Sequence, residues 1–168
     1  MKVRAYYFEA DEKLVESLKK SSDMDRIDQL EMIQDLHKVK YYSMGEWWDA
    51  LHFVLTGVSA SMPIEYSALS EAVVGKRLFD EDENAAFIAY TLPEEVEKIF
   101  AALDWLKVKE VMSTFSLADL QQQHIYPEQW EVDKEDTYKQ EIATAFKTLR
   151  KFYEVMVQNK KGVVIGIY

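Results

Sequence analysis

The sequence predicts a mixed helix-and-strand domain in which a small sheet, containing both chain ends, packs against about six helices. The segments at the two ends, Val3 to Phe8 and Val163 to Tyr168, are rich in the β-branched and aromatic residues that strands favour. Apolar residues recur at helical spacing between them, most clearly over residues 134–159. At 168 residues the chain is expected to form one domain, residues 1–168, that buries roughly 70% of its unfolded surface.

Two helices are predicted between the first strand and residue 40. Asp11 precedes an apolar face made by Leu14, Val15 and Leu18, and the pair Ser21-Ser22 interrupts the pattern. A second helix is predicted over about residues 25–38. Its other side is strongly acidic, which is typical of a solvated helix face.

The segment from Ser43 to Gly57 is predicted to be the central, buried helix. Ser43 and Glu46 have the spacing of a capping box, and Gly57 suits a left-handed C-cap. Trp48, His52 and Leu55 share one face, and a second apolar line follows Trp47 and Val54. A helix that is apolar on both lines is expected to be packed on several sides.

The second half of the chain is predicted to hold one internal strand and mostly helices. Residues 85–90 read as a buried strand, while residues 68–75 fit a short helix or a short strand, because periodicity does not separate the two over so few residues. Capping signals begin at Thr91 and Ser116, with Pro93 in a first turn. The predicted helices cover about residues 91–103, 106–113, 116–123 and 134–159.

Composition excludes several classes of site and partner. The chain has no cysteine, so disulfides, thiolate zinc sites, iron–sulfur clusters and cysteine nucleophiles are excluded, and a reducing cytosol fits. A net charge of −10 argues against nucleic acid as the main partner. The N-terminus lacks a signal-peptide apolar run, and no stretch approaches the ~20 apolar residues of a membrane span. We therefore expect a cytoplasmic protein that does not engage membranes.

Catalytic motifs are absent, and a weaker constellation remains on the central helix. The sequence has no GxSxG elbow, P-loop, GxGxxG or HExxH motif, so no cofactor and no metal site are predicted. Asp49 and His52 are spaced i, i+3, and a carboxylate beside an imidazole can be two metal ligands or an acid–base pair. Glu128 is the other candidate carboxylate. The alternative is a core histidine whose two nitrogens bind a carbonyl and a nearby hydroxyl or carboxylate.

A late loop, Ile125 to Trp130, is rich in large side chains. Tyr126 and Trp130, with the carboxylate of Glu128, suit the wall of a small-ligand pocket. The alternative is that both rings fasten the loop to the core. The apolar stripe of the last helix predicts core packing, and it equally suits a homodimer interface.

Several segments together resemble the YfbM-like family, bacterial domains of unknown function. The central segment Trp48-Asp49-Ala50-Leu51-His52-Phe53-Val54-Leu55-Thr56-Gly57 is similar to the family's W-x-x-L-H-x-L-L-T-G core. Further similarity lies, in family order, in residues 69–75, 90–96 and 125–130. Ser43-Met44-Gly45-Glu46 departs from the charged run that many members carry there. The resemblance implies an α+β domain and no activity, and it directs attention to Trp48, His52, Thr56, Tyr126, Glu128 and Trp130.

These observations favour a cytoplasmic binding module over an enzyme. The leading hypothesis is a non-catalytic domain that binds a protein or a small ligand, with Trp48, Thr56, Tyr126 and Trp130 as candidate binding residues. The first alternative is a small enzyme that uses His52 as general acid or base, with Asp49 or Glu128 orienting it. The second is an acidic, inhibitor-like partner that covers a basic surface.

Overall fold

The computed structural model describes residues 2–168 and places a five-stranded antiparallel sheet at the centre of the fold. The strands lie in the order β2-β1-β5-β4-β3. Their bounds are Ala5–Ala10 (β1), Tyr41–Gly45 (β2), Arg77–Leu78 (β3), Phe87–Thr91 (β4) and Gly162–Ile167 (β5). The two terminal strands β1 and β5 pair along their whole length, with Ala5 opposite Ile167. The predicted α+β fold with both chain ends in one sheet is confirmed.

Eight α-helices, rather than about six, are present in the described residues. They cover Glu12–Lys19 (α1), Asp23–Asp35 (α2), Trp48–Thr56 (α3), Ala68–Val74 (α4), Pro93–Trp105 (α5), Val108–Ser113 (α6), Leu117–Gln122 (α7) and Glu135–Asn159 (α8). A short 3₁₀ turn at Val132–Lys134 precedes α8. Within residues 2–168, none of these helices is both long and apolar enough to cross a membrane.

The sheet separates two apolar layers of unequal size. On one face, Phe8 and Val164 pack with Leu18 and Leu30 of α1 and α2. On the other face, Tyr7 and Ile165 belong to a much larger cluster that includes the buried apolar residues of α3 to α8. Because successive strand residues point to opposite faces, β5 can be buried on both sides and carries no polar side chain.

Two tyrosines fix the end of α4 beneath the larger layer. The fully buried hydroxyls of Tyr7 and Tyr153 donate hydrogen bonds to the carbonyl oxygens of Val73 and Ala72, at 2.8 and 2.7 Å. Burial raises the pKa of both phenols, so they remain protonated donors. The last-turn carbonyls of α4 lack intrahelical partners, and these bonds satisfy two of them.

The predicted start of the central helix is wrong. Ser43 lies in β2, and α3 begins at Trp48 after Gly45, whose φ of +69° turns the chain out of the strand. Pairing of Tyr41–Gly45 with β1 outweighs the local capping signal. Glu46 instead lies 3.4 Å from the Lys2 ammonium. The predicted C-cap is confirmed, since Gly57 has a φ of +84° and donates to the carbonyl of Phe53.

The capping box predicted at Thr91 is not formed, because the N-cap of α5 is Leu92, whose side chain has no acceptor. Thr91 ends β4, and its buried hydroxyl has no hydrogen-bond partner in the described residues. Leu92 precedes the helix, and its amide donates to the Glu95 carboxylate at 3.0 Å. Pro93 occupies the first turn of α5, as predicted. Residues 68–74 form a helix, which resolves the ambiguity between helix and strand.

Candidate functional site

Asp49, in the first turn of α3, holds two separate loops against the helix. Its side chain is 4% exposed. One carboxylate oxygen accepts from the hydroxyl of Ser59 at 2.9 Å and the amide of Ala60 at 2.7 Å, and the other accepts from the amide of Tyr126 at 2.8 Å. Three donors therefore compensate the buried charge. They also engage both oxygens of the carboxylate.

His52 is fully buried one turn further along α3, and both of its ring nitrogens are hydrogen-bonded. Nδ1 lies 2.8 Å from the carbonyl oxygen of Val58, and Nε2 lies 2.8 Å from the hydroxyl of Ser70. A carbonyl only accepts, so Nδ1 carries the proton and Nε2 accepts from Ser70. Burial lowers the pKa of His52, against opposing contributions from the Val58 carbonyl and the Asp49 charge. The imidazole is therefore neutral near pH 7.

Thr56 completes the turn around His52. Its hydroxyl donates to the His52 carbonyl oxygen at 2.7 Å and accepts from the Val58 amide at 3.3 Å. Together with the left-handed Gly57, these bonds aim the Val58 carbonyl back at the imidazole. The H-x-x-x-T-G spacing is thus accounted for by one helix end and its returning chain.

The loop after α7 is fastened by aromatic contacts of two kinds. Tyr126 stacks on Trp48 with ring centroids 5.3 Å apart, and its hydroxyl accepts from the amide of Val3 at 2.7 Å. Trp48 Nε1 donates to the carbonyl of Val3 at 3.2 Å. The pair therefore holds the segment before β1 against α3. Trp130, 6% exposed, lies apart from them, and its ring meets that of Tyr138 edge-on at 4.9 Å.

Glu128 is exposed, unlike the buried candidates Asp49 and His52. Its carboxylate lies 3.9 Å from Nδ1 of the exposed His124. His52 hydrogen-bonds neither Glu128 nor Asp49. Within residues 2–168, no group of three or more Asp, Glu or His side chains is arranged to hold a metal ion.

An open cleft of about 560 Å³ lies beside this buried network. Its walls are residues 63–66, the C-terminal part of α4, and strands β3 and β4, and we call it the α4 cleft. Ser70, which donates to His52, lies at its base, so one side chain separates the imidazole from the cleft. Sequence patterns did not indicate this cleft, because its walls come from three segments that only tertiary contacts bring together.

The apolar wall of the α4 cleft includes one side chain in an unusual backbone conformation. Tyr66 has a φ of +61° and is 92% exposed, and Ile64 and Leu78 are also exposed. A bulky residue in the left-handed region is disfavoured by roughly 1–3 kcal/mol and is retained where surrounding structure or function demands it. The exposed ring contributes little to the core.

Basic side chains at the α4 cleft are already paired. Lys76 Nζ lies 3.1 Å from the Glu95 carboxylate and 3.8 Å from that of Glu71. Arg77 binds both oxygens of Glu95. Burial raises the pKa of Glu95, but bonds from Arg77, the Leu92 amide and Lys76 outweigh it and hold the pKa at about 2. The other lining carboxylates, Glu65 and Glu81, have no ion pair in the described residues.

Replacing Glu95 with glutamine is expected to flatten the acid dependence of stability between pH 4.5 and about 2. Because the pKa is lower in the folded than in the unfolded state, the Glu95 contribution is complete above pH 4.5 and is lost as pH falls through about 2. Urea unfolding at a series of pH values measures it. Glu97→Gln, an exposed change on the same helix, is the control. If the free energies of unfolding of Glu95→Gln and of the unsubstituted chain changed with pH in parallel, the lowered pKa of Glu95 would be contradicted.

Comparison with known proteins points to one family over the whole chain. A family model described as a domain of unknown function (DUF1877) matches residues 1–166. Protein YfbM of Escherichia coli (strain K12) is 30% identical over 122 residues, which are 73% of this chain and 71% of that protein. The crystal structure of YfbM from Escherichia coli, described as a protein of unknown function, superposes with a TM-score of 0.80 at 26% identity, covering 98% of this chain and 99% of that one.

Proposed function

Since the chain belongs to the YfbM-like family of domains of unknown function (DUF1877), we propose from its own geometry that it is a non-catalytic module that binds a small amphipathic cation in the α4 cleft. The observation that carries this proposal is the coincidence, in one open cleft, of exposed apolar side chains with carboxylates that have no ion pair. The ligand class is a positively charged amine on an apolar body.

The size and walls of the α4 cleft suit a small molecule. Its volume of about 560 Å³ falls within the range of small-ligand sites, roughly 300–1,000 Å³. Ile64, Tyr66 and Leu78 present apolar surface to it. The ring of Tyr66 also offers a face to a cation. Apolar surface exposed inside a cleft is a common mark of a binding site.

The charges around the α4 cleft favour a cation over an anion. Lys76 and Arg77 are engaged by Glu71 and Glu95, so they are not available to an anionic ligand. Glu65 and Glu81 remain to pair with a positive group. The net charge of −10 attracts cations at longer range and opposes anions.

The buried polar network supports a binding role rather than acid–base chemistry. The three donors on Asp49 engage both of its oxygens, and the two partners of His52 engage both ring nitrogens, which is what these side chains need when buried. Trp48, Thr56, Tyr126 and Trp130 each make contacts that hold loops in place. Their part in our proposal is to position the cleft walls rather than to contact ligand.

The alternative of an enzyme using His52 retains one supporting observation. Ser70 lies at the base of the α4 cleft, and its hydroxyl donates to His52 Nε2, as in a nucleophile beside its base. Hydrolysis of p-nitrophenyl acetate tests it. Turnover above the buffer rate, abolished both in Ser70→Ala and in His52→Gln, would favour this alternative. Equal rates of hydrolysis in the unsubstituted chain, Ser70→Ala and His52→Gln would contradict the enzyme and favour the binding module.

Titration with 2-phenylethylamine, followed by amide chemical shifts, tests the proposed ligand class. Saturable shifts confined to residues 64–66, 70–71, 74–81 and 87–90 are expected, with a Kd on the order of 1 mM for so small a probe. The anion 3-phenylpropionate, similar in shape and opposite in charge, is expected to cause no saturable shift. Equal binding of both compounds, or shifts elsewhere in the chain, would contradict the proposal.

Replacing Tyr66 with alanine is expected to weaken 2-phenylethylamine binding by about tenfold, through loss of one apolar and aromatic wall. The same change is expected to alter the free energy of unfolding by less than about 0.5 kcal/mol, because the ring is almost fully exposed. Met62→Ala is the matched control, since Met62 is exposed on the same loop and does not line the cleft. Unchanged binding in Tyr66→Ala would place the ligand elsewhere.

A further inference from the structure

The outward side of α2 carries exposed apolar side chains, although apolar residues on a helix normally face the core. Met24, Met32 and Leu36 are 69%, 55% and 60% exposed. Residues spaced by four lie in one row along a helix, and Met24, Asp28, Met32 and Leu36 form such a row, about 18 Å long. The amide of Leu36 donates to the carbonyl of Met32, so the row continues just past the end of α2. We call this row the α2 ridge.

The opposite side of α2 holds the helix to the rest of the fold. Leu30 is fully buried in the smaller apolar layer. The buried Arg26 donates to the carbonyl oxygen of Leu18 at 2.8 Å, and the carboxylate of Asp23 accepts from the amide of Ala86 at 3.1 Å. The α2 ridge is therefore not needed to dock the helix, and its side chains are available to a partner.

Every charged side chain on the outward side of α2 is acidic. These exposed side chains are Asp25, Asp28, Glu31 and Asp35. Within residues 2–168, none of the four takes part in an ion pair. The one basic residue of the helix, Arg26, is buried on the other side. A partner at the α2 ridge therefore meets large apolar side chains among uncompensated carboxylates.

The carboxylates select among the possible occupants of the α2 ridge. Two ridges from separate copies of the chain would bring like charges together, and anionic lipid headgroups and nucleic-acid phosphates carry the same sign as the ridge. A basic amphipathic helix offers both the opposite charge and a matching apolar stripe. Asp28 lies inside the row, so such a helix has to supply a lysine or arginine there, because a carboxylate covered without a cation is costly.

From the exposed row and its charges we infer that the α2 ridge is a docking surface for a basic amphipathic helix of a partner protein. Rows of residues spaced by four pack into the grooves of a second helix, and flexible methionine side chains adapt to the shape of a partner. The helices α2 and α4 pack on opposite faces of the sheet, and the α4 cleft is lined by other segments than α2. Binding at the ridge therefore leaves the α4 cleft open.

A peptide made only of leucine and lysine, about four helical turns long and with leucine at helical spacing, tests this surface. Titration into the full chain is expected to shift the amide signals of residues 24–36, with a Kd on the order of 50 μM. A peptide of the same composition in scrambled order has no apolar stripe and is expected to bind at least about tenfold more weakly. Equal binding of the two peptides, no binding of the patterned one, or shifts centred on the acidic loop 80–84 or on the α4 cleft would overturn the inference.

Matched variants at exposed positions separate docking at the ridge from general attraction to an acidic protein. Met24 and Met62 are both 69% exposed, and Met24→Ser is expected to weaken binding of the patterned peptide roughly fivefold while Met62→Ser leaves it unchanged. Asp28→Lys is expected to weaken binding more than about tenfold, against less than about twofold for Glu97→Lys on α5, which changes the net charge equally. Unfolding by urea is expected to be nearly unchanged in all four variants. Equal peptide affinities across the four would also overturn the inference.

Discussion

Replacing Asp49 with alanine is expected to lower the free energy of unfolding by roughly 3–5 kcal/mol. The carboxylate accepts from the amides of Ala60 and Tyr126, and the substitution leaves both donors without a partner. Each buried amide left unsatisfied costs about 1–3 kcal/mol, and the Ser59 hydroxyl loses its acceptor as well. Urea unfolding followed by tryptophan fluorescence measures the change.

Two variants make the Asp49 prediction specific. Asp49→Asn keeps one acceptor oxygen, so it is expected to lose roughly half as much stability as Asp49→Ala. Asp104→Ala removes an exposed carboxylate from α5 and is expected to change stability by less than about 0.5 kcal/mol. If Asp49→Ala proved as stable as Asp104→Ala, the two loops would have to be held by other contacts.

Replacing His52 with leucine is expected to cost roughly 2–3 kcal/mol at pH 7. The change fills a similar volume but leaves the Ser70 hydroxyl without an acceptor and the Val58 carbonyl without its imidazole donor. Urea unfolding of the two proteins at one pH gives the difference. His37→Asn is the control, because His37 is exposed with a φ of +48°, a conformation that asparagine accepts readily.

The cost of His52→Leu is expected to shrink as the solution is acidified. Burial is the main reason that the pKa of His52 lies below its ordinary value of 6.5 in the folded protein. The unfolded chain therefore takes up a proton at higher pH than the folded chain does. The stabilising contribution of His52 is complete above pH 6.5 and is lost as pH falls from 6.5 towards the folded pKa. A stability difference that does not vary below pH 6.5 would mean that His52 reaches solvent.

The segment shared with the family core has one structural role, which is to hold neighbouring loops against α3. Asp49, His52 and Thr56 lie on α3 and bind the chain that leaves it, at Val58, Ser59 and Ala60. Trp48 and Tyr126 add the segment before β1. The same helix is bonded to α4 through His52 and Ser70, and α4 forms one wall of the α4 cleft.

Elements with a strong local pattern were predictable from sequence. The long helix α8 was placed to within about one residue at its start, because its apolar stripe persists over many turns. Gly57 was identified as a C-cap because few other residues tolerate its backbone conformation. Ser116 was identified as an N-cap, and its hydroxyl accepts from the amide of Asp119 at 3.2 Å.

The start of α3 and the existence of β2 were decided by tertiary pairing. Ser43 to Glu46 carries a valid capping pattern, worth about 1 kcal/mol. The strand that forms instead gives Tyr41–Gly45 a row of backbone hydrogen bonds with β1 and buries Met44 in the larger apolar layer. That gain depends on residues some 35 positions earlier in the chain, so no local pattern could reveal it. The position of β2 at the edge of the sheet became visible only with the strand order.

By itself the sequence determined that this chain folds around terminal strands with helices between them, because apolar periodicity and cap residues act over a few neighbouring positions. It also predicted that His52 of α3 faces inward. Only the tertiary structure decided what the polar side chains of α3 meet: the imidazole finds Ser70 from α4, and Asp49 finds the amide of Tyr126, 77 residues away. A buried polar group takes whichever partner the folded chain brings within about 3 Å, and that choice is made by long-range packing.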